Sequence, residues 1–227
     1  MVFCPLSSVY CPLTMSRIYL ITPPAIDLPA FAASLPAVLD AGDIACFQLR
    51  LKNASDDDLK RAVQTLMPIV VQHDIAFVLN DRVDLAKQLG CDGVHLGQND
   101  APLIEARKIL GPHKIIGVSC YNSKHRAMFA ASEGADYIAF GVAFPESSAT
   151  KPQGPQAPLA LYEDWVTTTT TPVVAIGGIT AANCAALVRV KVDFLAIIGA
   201  VWNHAGGPVA GMQALNAAIE GAKGLSG

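Results

Sequence analysis

The stretch CFQLRLKN, Cys46 to Asn53, decides how this chain is read. Gln48, Arg50 and Lys52 alternate with Phe47, Leu49 and Leu51. In a strand, every second side chain points the same way. Three long polar groups, two of them cations, then share one face. An open, half-exposed strand would turn such a face to solvent. A parallel strand packed on one side and covered by helices on the other tolerates it only near its end, where it meets water or ligand.

The surrounding sequence favours the second arrangement. From Arg17 onward, short apolar runs alternate with helix-like stretches. Strands are predicted at 17–22, 46–50, 76–80, 93–97, 115–120, 137–142, 172–177 and 194–199. Helices are predicted near 29–41, 55–73, 82–89, 101–110, 123–133, 158–166, 180–190 and 208–222. Ser55 followed by Asp56 to Asp58 marks a helix start, as does Pro102 at an early helical position. Eight strand–helix units at this length predict an α/β fold, a single (β/α)8 TIM barrel. The rival, an open doubly wound sheet, usually carries a glycine-rich phosphate loop after its first strand. Here that strand ends LITPP, and the glycine pair comes late, in AIGGIT.

Composition agrees. The chain has 227 residues, 52% hydrophobic and only 15% charged, which suits one large core. Residues 1–15 read as a disordered extension before a single barrel domain at 16–227, and Met15 is a second candidate start. The net charge of -3 gives no global field for nucleic acid, so any anion site is built locally. No apolar run approaches the ~18 residues of a membrane span. None of the six cysteines forms a C-x-x-C pair, so a reduced, cytoplasmic chain is expected. The oligomeric state stays open, a homo-oligomer included.

The chemistry gathers after the strands. The second ends in Gln48, Arg50 and Lys52, and the third in Asn80 and Asp81. The fourth leads to HLGQND with Asp100, and the fifth ends with Ser119. The sixth feeds the Pro-, Ser- and Gly-rich connection at 143–158, which is long enough to be functional. The last two strands end at Gly177–Gly178 and at Gly199. A barrel brings all of these to one rim, where such folds hold their active sites. Asp81 and Asp100 each have a second reading, as caps of the helices that follow. Beside cationic phosphate-binding candidates they also suit Mg²⁺, which takes few carboxylates, several waters and phosphate oxygens. The glycine pair suits either a tight turn or close approach to an anion, with free N–H groups at the start of the next helix. His95 reads as a packed strand residue rather than a base, and Trp202 as a space-filler.

Taken together, QLRLK, LNDRVDLA, CDGVHLGQNDAP, IIGVSC, GADYIAFG, TKP and AIGGIT resemble the thiamine phosphate synthase and thiazole tautomerase family, over about 17–203. The resemblance implies a Mg²⁺-dependent transferase with two small-molecule substrates and neither nucleic acid nor membrane as partner. A pyrimidine methyl diphosphate joins a thiazole phosphate, giving thiamine phosphate and pyrophosphate. Gln48, Arg50, Lys52 and Asn80 would cradle the diphosphate, with Ser119 and Lys151 as further contacts. Asp81 and Asp100 would hold the metal. Ser148 and Thr150, with backbone at Gly178, Ile198 and Gly199, would take the thiazole phosphate. Arg50, Lys52, Ser119 and Lys151 are the catalytic candidates, because the family ionises its substrate and needs charge stabilisation more than a nucleophile.

Two departures stand out. The loop reads FPESSATK, two residues longer than the family pattern, with Ser148 at the first Thr position. Gly199 stands where the family commonly has Ser. These keep two alternatives in view: a thiazole tautomerase-like enzyme, and a non-catalytic phosphate-ligand-binding barrel. The 143–158 loop is expected to close over bound substrate.

Overall fold

A computed structural model describes residues 16–147 and 155–223. Eight parallel strands close into a barrel in sequence order. They are β1 (Arg17–Ile21), β2 (Ile44–Leu49), β3 (Ala76–Asn80), β4 (Gly93–Leu96), β5 (Ile115–Tyr121), β6 (Tyr137–Gly141), β7 (Val173–Ile176) and β8 (Phe194–Ile197). Closure comes from β8 pairing with β1, Leu195 opposite Ile18 and Ala196 opposite Tyr19.

The described helices are α1 (Leu28–Leu39), α2 (Asp56–Val71), α3 (Val83–Leu89), α4 (Leu103–Leu110), α5 (Lys124–Ser132), α6 (Leu159–Thr168), α7 (Ala185–Arg189), α8 (Gly199–Trp202) and α9 (Gly207–Lys223). The start of α2 is a reciprocal cap. Ser55 Oγ accepts from Asp58 N at 3.2 Å, and Asp58 accepts from Ser55 N.

Strand alternation divides the apolar residues between two cores. Ile18, Leu20, Phe47, Leu49, Phe77 and Leu79 pack outward under the helices. Tyr19, Ile21, Cys46, Val78, Tyr137 and Ala196 belong to a second core inside the barrel. Both faces of each strand are therefore covered, and charged groups find room only toward the strand ends. Among the described residues, no helix is long and apolar enough to cross a membrane.

Two local differences from the sequence reading matter. The helix expected over 180–190 begins only at Ala185. Asn183 explains this: its Oδ1 accepts from Thr180 N at 2.8 Å and its Nδ2 donates to Gly178 O at 2.9 Å. The segment after the glycines is thus a side-chain-tied turn, and the Thr180 N–H is already taken rather than free for an anion. The short α8 after β8 is an element that the sequence pattern does not announce. Trp202 closes it by donating its indole N–H to Ile21 O at 2.7 Å and packing on Phe31 at 4.9 Å. It fills space, as expected.

Cys46, Cys91, Cys120 and Cys184 are all buried and lie outside any disulfide. Burial pushes the Cys91 thiol up to about 11 and the Cys120 thiol up to about 12. Since the thiolate is the reactive form, these four are expected to resist a disulfide-exchange reagent at pH 8 until the protein unfolds. Mass spectrometry of native and urea-treated samples checks this. Native labelling at Cys120 would contradict the packing.

Candidate active site

The alternation of the opening stretch carries its polar residues outward through the barrel mouth. Gln48 is buried inside, donating its amide N–H to Tyr19 Oη at 3.1 Å. Arg50 lies just past β2, half-buried. Its backbone is clasped by Thr22, whose Oγ1 accepts from Arg50 N at 2.9 Å and donates to Arg50 O at 3.2 Å. The guanidinium charge acts on both Asp81 and His95. Lys52 is exposed, its backbone N–H held by Pro24 O at 2.9 Å. The strand has ended by then, so Lys52 is not brought into the cluster.

Across from Arg50, two carboxylates meet. Asp81 follows Asn80 at the end of β3 with a left-handed φ of 64°. Its N–H donates to His95 O at 2.9 Å. Its carboxyl lies within hydrogen-bonding reach of the Asp100 and Asn80 side chains. Asp100 also accepts from Gly97 N at 2.6 Å. Neither residue makes a helix cap: α3 and α4 start at Arg82 and Pro102 without side-chain capping bonds. Although Asp81 as a residue is exposed, its carboxyl faces its partner, and lost hydration first, then the bond to and charge of Asp100, raise it to about 6. Arg50 and Asn80 only partly offset this.

Two neighbouring carboxylates form a site short of positive charge, which a divalent cation would supply. Among the described residues no third His, Cys, Asp or Glu joins them. That donor set fits a hard ion that keeps several waters and takes substrate oxygens, as Mg²⁺ does. The neighbouring loop is held by Arg82, which hydrogen-bonds Asp56 of α2 and reaches Asp84 at 2.7 Å.

His95 lies between Tyr137 and Ser119. Its Nδ1 is 2.9 Å from Tyr137 Oη and its Nε2 is 2.8 Å from Ser119 Oγ. Burial first, then the Arg50 charge, lowers its pKa to about 4, so the ring is neutral near pH 7. With both nitrogens engaged, it is not poised as a base. The sequence reading missed Tyr19 and Tyr137, whose hydroxyls meet at 2.7 Å inside the barrel. A signal existed: Tyr19 alternates with outward Ile18 and Leu20, and a buried phenol needs a partner. Gly117 makes space for the pair, because a Cβ there would stand 1.9 Å from Tyr137 Cζ.

On the far side of the mouth, Gly177 and Gly178 adopt φ of 102° and 69°. A Cβ on Gly178 would lie 1.8 Å from Phe144 O, so only glycine lets these backbones approach. Gly177 O accepts from Phe144 N at 2.9 Å, and Ile176 O accepts from Ala143 N at 2.9 Å. The other end of the long connection returns to the same place. Ala157 N donates to Val142 O at 2.9 Å and Gln156 Nε2 donates to Ala143 O at 3.1 Å. Ile198 and Gly199, half-buried at the end of β8, complete this side. Ser148, Thr150 and Lys151 lie outside the described residues, as does the expected extension over 1–15.

The family model described as thiamine monophosphate synthase matches residues 18–201. A thiamine-phosphate synthase of Rhodospirillum centenum is 51% identical over 209 residues, covering 92% of this chain and 100% of the relative. One from Hyphomonas neptunium is 46% identical, covering 92% of this chain and 96% of the relative. Among solved structures, thiamine phosphate pyrophosphorylase from Pyrococcus furiosus superposes with a TM-score of 0.78 at 32% identity, covering 92% of this chain and 97% of that one. A 3-hexulose-6-phosphate synthase, at TM-score 0.61 and 19% identity over 89% of this chain and 100% of that one, shares the fold alone. In sequence and in fold, the chain belongs to the thiamine monophosphate synthase family.

Proposed function

We propose that the mouth of this barrel joins a pyrimidine methyl diphosphate to a thiazole phosphate, releasing pyrophosphate and forming thiamine phosphate. The observation that carries this reading is the contact between Asp81 and Asp100 beside the Arg50 charge. A tautomerase or a simple phosphate binder has no use for a paired-carboxylate site facing a cation. The carbon–oxygen bond to the diphosphate breaks with its electron pair leaving on oxygen, and the thiazole nitrogen lone pair closes on the freed methylene carbon. Because that nitrogen carries no proton to lose, no protein base is required, which suits a neutral His95 engaged on both sides.

Arg50, Asn80 and Ser119 would bind and orient the diphosphate from the ends of β2, β3 and β5. Asp81 and Asp100 would hold Mg²⁺, which when bound supplies charge neutralisation for the departing group. Lys52 and Lys151 would add cations from the rim, Lys52 by swinging in from solvent. The thiazole phosphate would sit on the backbone of Gly178, Ile198 and Gly199, with Ser148 and Thr150 from the long loop. Phosphate sites after the last two strands recur in this fold. The buried thiols support a reducing, cytoplasmic setting.

The test is pyrophosphate release from the purified protein supplied with both substrates, in Mg²⁺ or in EDTA, with thiamine phosphate followed in parallel. Equal yields of both products in Mg²⁺, abolished by EDTA, are expected. Substrate binding without either product would reject the synthase reading.

A further inference from the structure

The barrel interior contains one continuous run of hydrogen bonds that crosses five strands. Gln48 Nε2 donates to Tyr19 Oη at 3.1 Å, and Tyr19 Oη meets Tyr137 Oη at 2.7 Å. Tyr137 Oη meets His95 Nδ1 at 2.9 Å, and His95 Nε2 meets Ser119 Oγ at 2.8 Å. Gln48, Tyr19 and Tyr137 are at most 2% exposed, so water cannot replace a missing link among them, while His95 and Ser119 are half-buried toward the mouth. Each proton at the buried end must therefore have a definite place.

Gln48 faces Tyr19 with its amide nitrogen, and counting donors from that end gives the order. An amide N–H can only donate, so Tyr19 Oη accepts there. The Tyr19 proton then goes outward. Cys46 also reaches this hydroxyl, but sulfur is the weaker acceptor, and Tyr137 oxygen is close. Having accepted, Tyr137 turns its own proton to His95 Nδ1. A neutral imidazole that accepts at Nδ1 carries its hydrogen on Nε2, and that hydrogen points at Ser119 Oγ. Ser119 thus accepts from behind, and its own proton is left for whatever lies in the mouth.

We propose that Tyr137 and His95 are positioning residues that hold the Ser119 hydroxyl as an obligate hydrogen-bond donor to the leaving diphosphate. The role in the reaction rests on the function proposed above; the proton order does not. A donor with a fixed direction costs no reorganisation as negative charge builds on the diphosphate oxygen. Were the order reversed, Ser119 would present a lone pair to an anion and repel it.

The first arm of the test reads the tautomer. Long-range proton–nitrogen correlation on histidine-labelled protein at pH 7, with His95 assigned by its loss in His95→Asn, is expected to show the Nε2–H form. The Nδ1–H form, or an imidazolium, overturns the proposal. The second arm is a double-mutant cycle. Tyr137→Phe is expected to lower kcat about tenfold, and to cost less than twofold when Ser119 is already Ala. Multiplicative losses would give Tyr137 a structural role only and overturn the positioning claim. If Tyr137→Phe folds poorly with Tyr19 left unpaired, Tyr19→Phe/Tyr137→Phe removes both hydroxyls and replaces it in the cycle. Absence of turnover in the unaltered protein refutes the synthase reading, and the tautomer still decides the proton order.

Discussion

Asp100→Asn is expected to lower turnover by a hundredfold or more while leaving the urea midpoint close to that of the unaltered protein. Asparagine keeps an oxygen for the Gly97 N–H, which Asp100 now holds at 2.6 Å. It removes one of two charges that a hydrated divalent ion would need. The several kcal/mol that a metal contributes to a developing charge correspond to about two to three powers of ten in rate. Stability should hardly move, because folding gains nothing from two touching carboxylates. The repulsion from Asp100 helps hold Asp81 up to about 6. Relief of that repulsion offsets the weaker hydrogen bond of an amide oxygen. Turnover measured across a Mg²⁺ series, with a urea curve on the same sample, decides it. A midpoint that collapses along with the rate would make Asp100 structural.

Gly178→Ala is expected to damage both fold and thiazole-side binding. Its left-handed φ of 69° alone would cost roughly 1–2 kcal/mol with a Cβ present. The larger problem is the 1.8 Å approach to Phe144 O, since a backbone atom has no rotamer to escape into. Gly90 supplies the comparison. It has a similar φ of 76°, but a Cβ added there would meet nothing within 4 Å. Gly90→Ala should therefore show the conformational cost alone, while Gly178→Ala loses at least ~2 kcal/mol more. The KM for thiazole phosphate should rise more than tenfold and that for the pyrimidine diphosphate stay nearly constant. Equal destabilisation in the two variants would mean that the loop yields freely and that the close approach has no consequence.

Much of this molecule is legible from the chain because a barrel repeats one local rule. Each strand turns polar toward its end, so Arg50, Asn80, Asp81, Asp100 and Ser119 can be assigned to one rim from the sequence alone, whereas Gln48 of the same alternation lies buried inside the barrel against Tyr19. The same alternation overruns at Lys52. Period-two counting continues past Leu49, but the strand does not, and Lys52 stands in solvent. The helix after the glycines starts later than its residues' helical preferences suggest, because Asn183 holds the preceding turn with two side-chain bonds. The Tyr19–Tyr137 contact joins residues 118 positions apart across a closed cylinder, and no local pattern encodes such a distance. His95 reads correctly as packed, yet what it packs against depends on that same closure.

The long connection after β6 begins and ends at one spot, with Ala143, Gln156 and Ala157 tied to one another and to β7. Its two feet are thereby clamped independently of the chain between them. Two residues more or fewer change the entropy of closing such a loop by only roughly 0.1 kcal/mol. A change of length between the feet is therefore not passed on to the strand register beneath. A protein engineer can use the same insulation: a change of length between the two feet need not renegotiate the barrel.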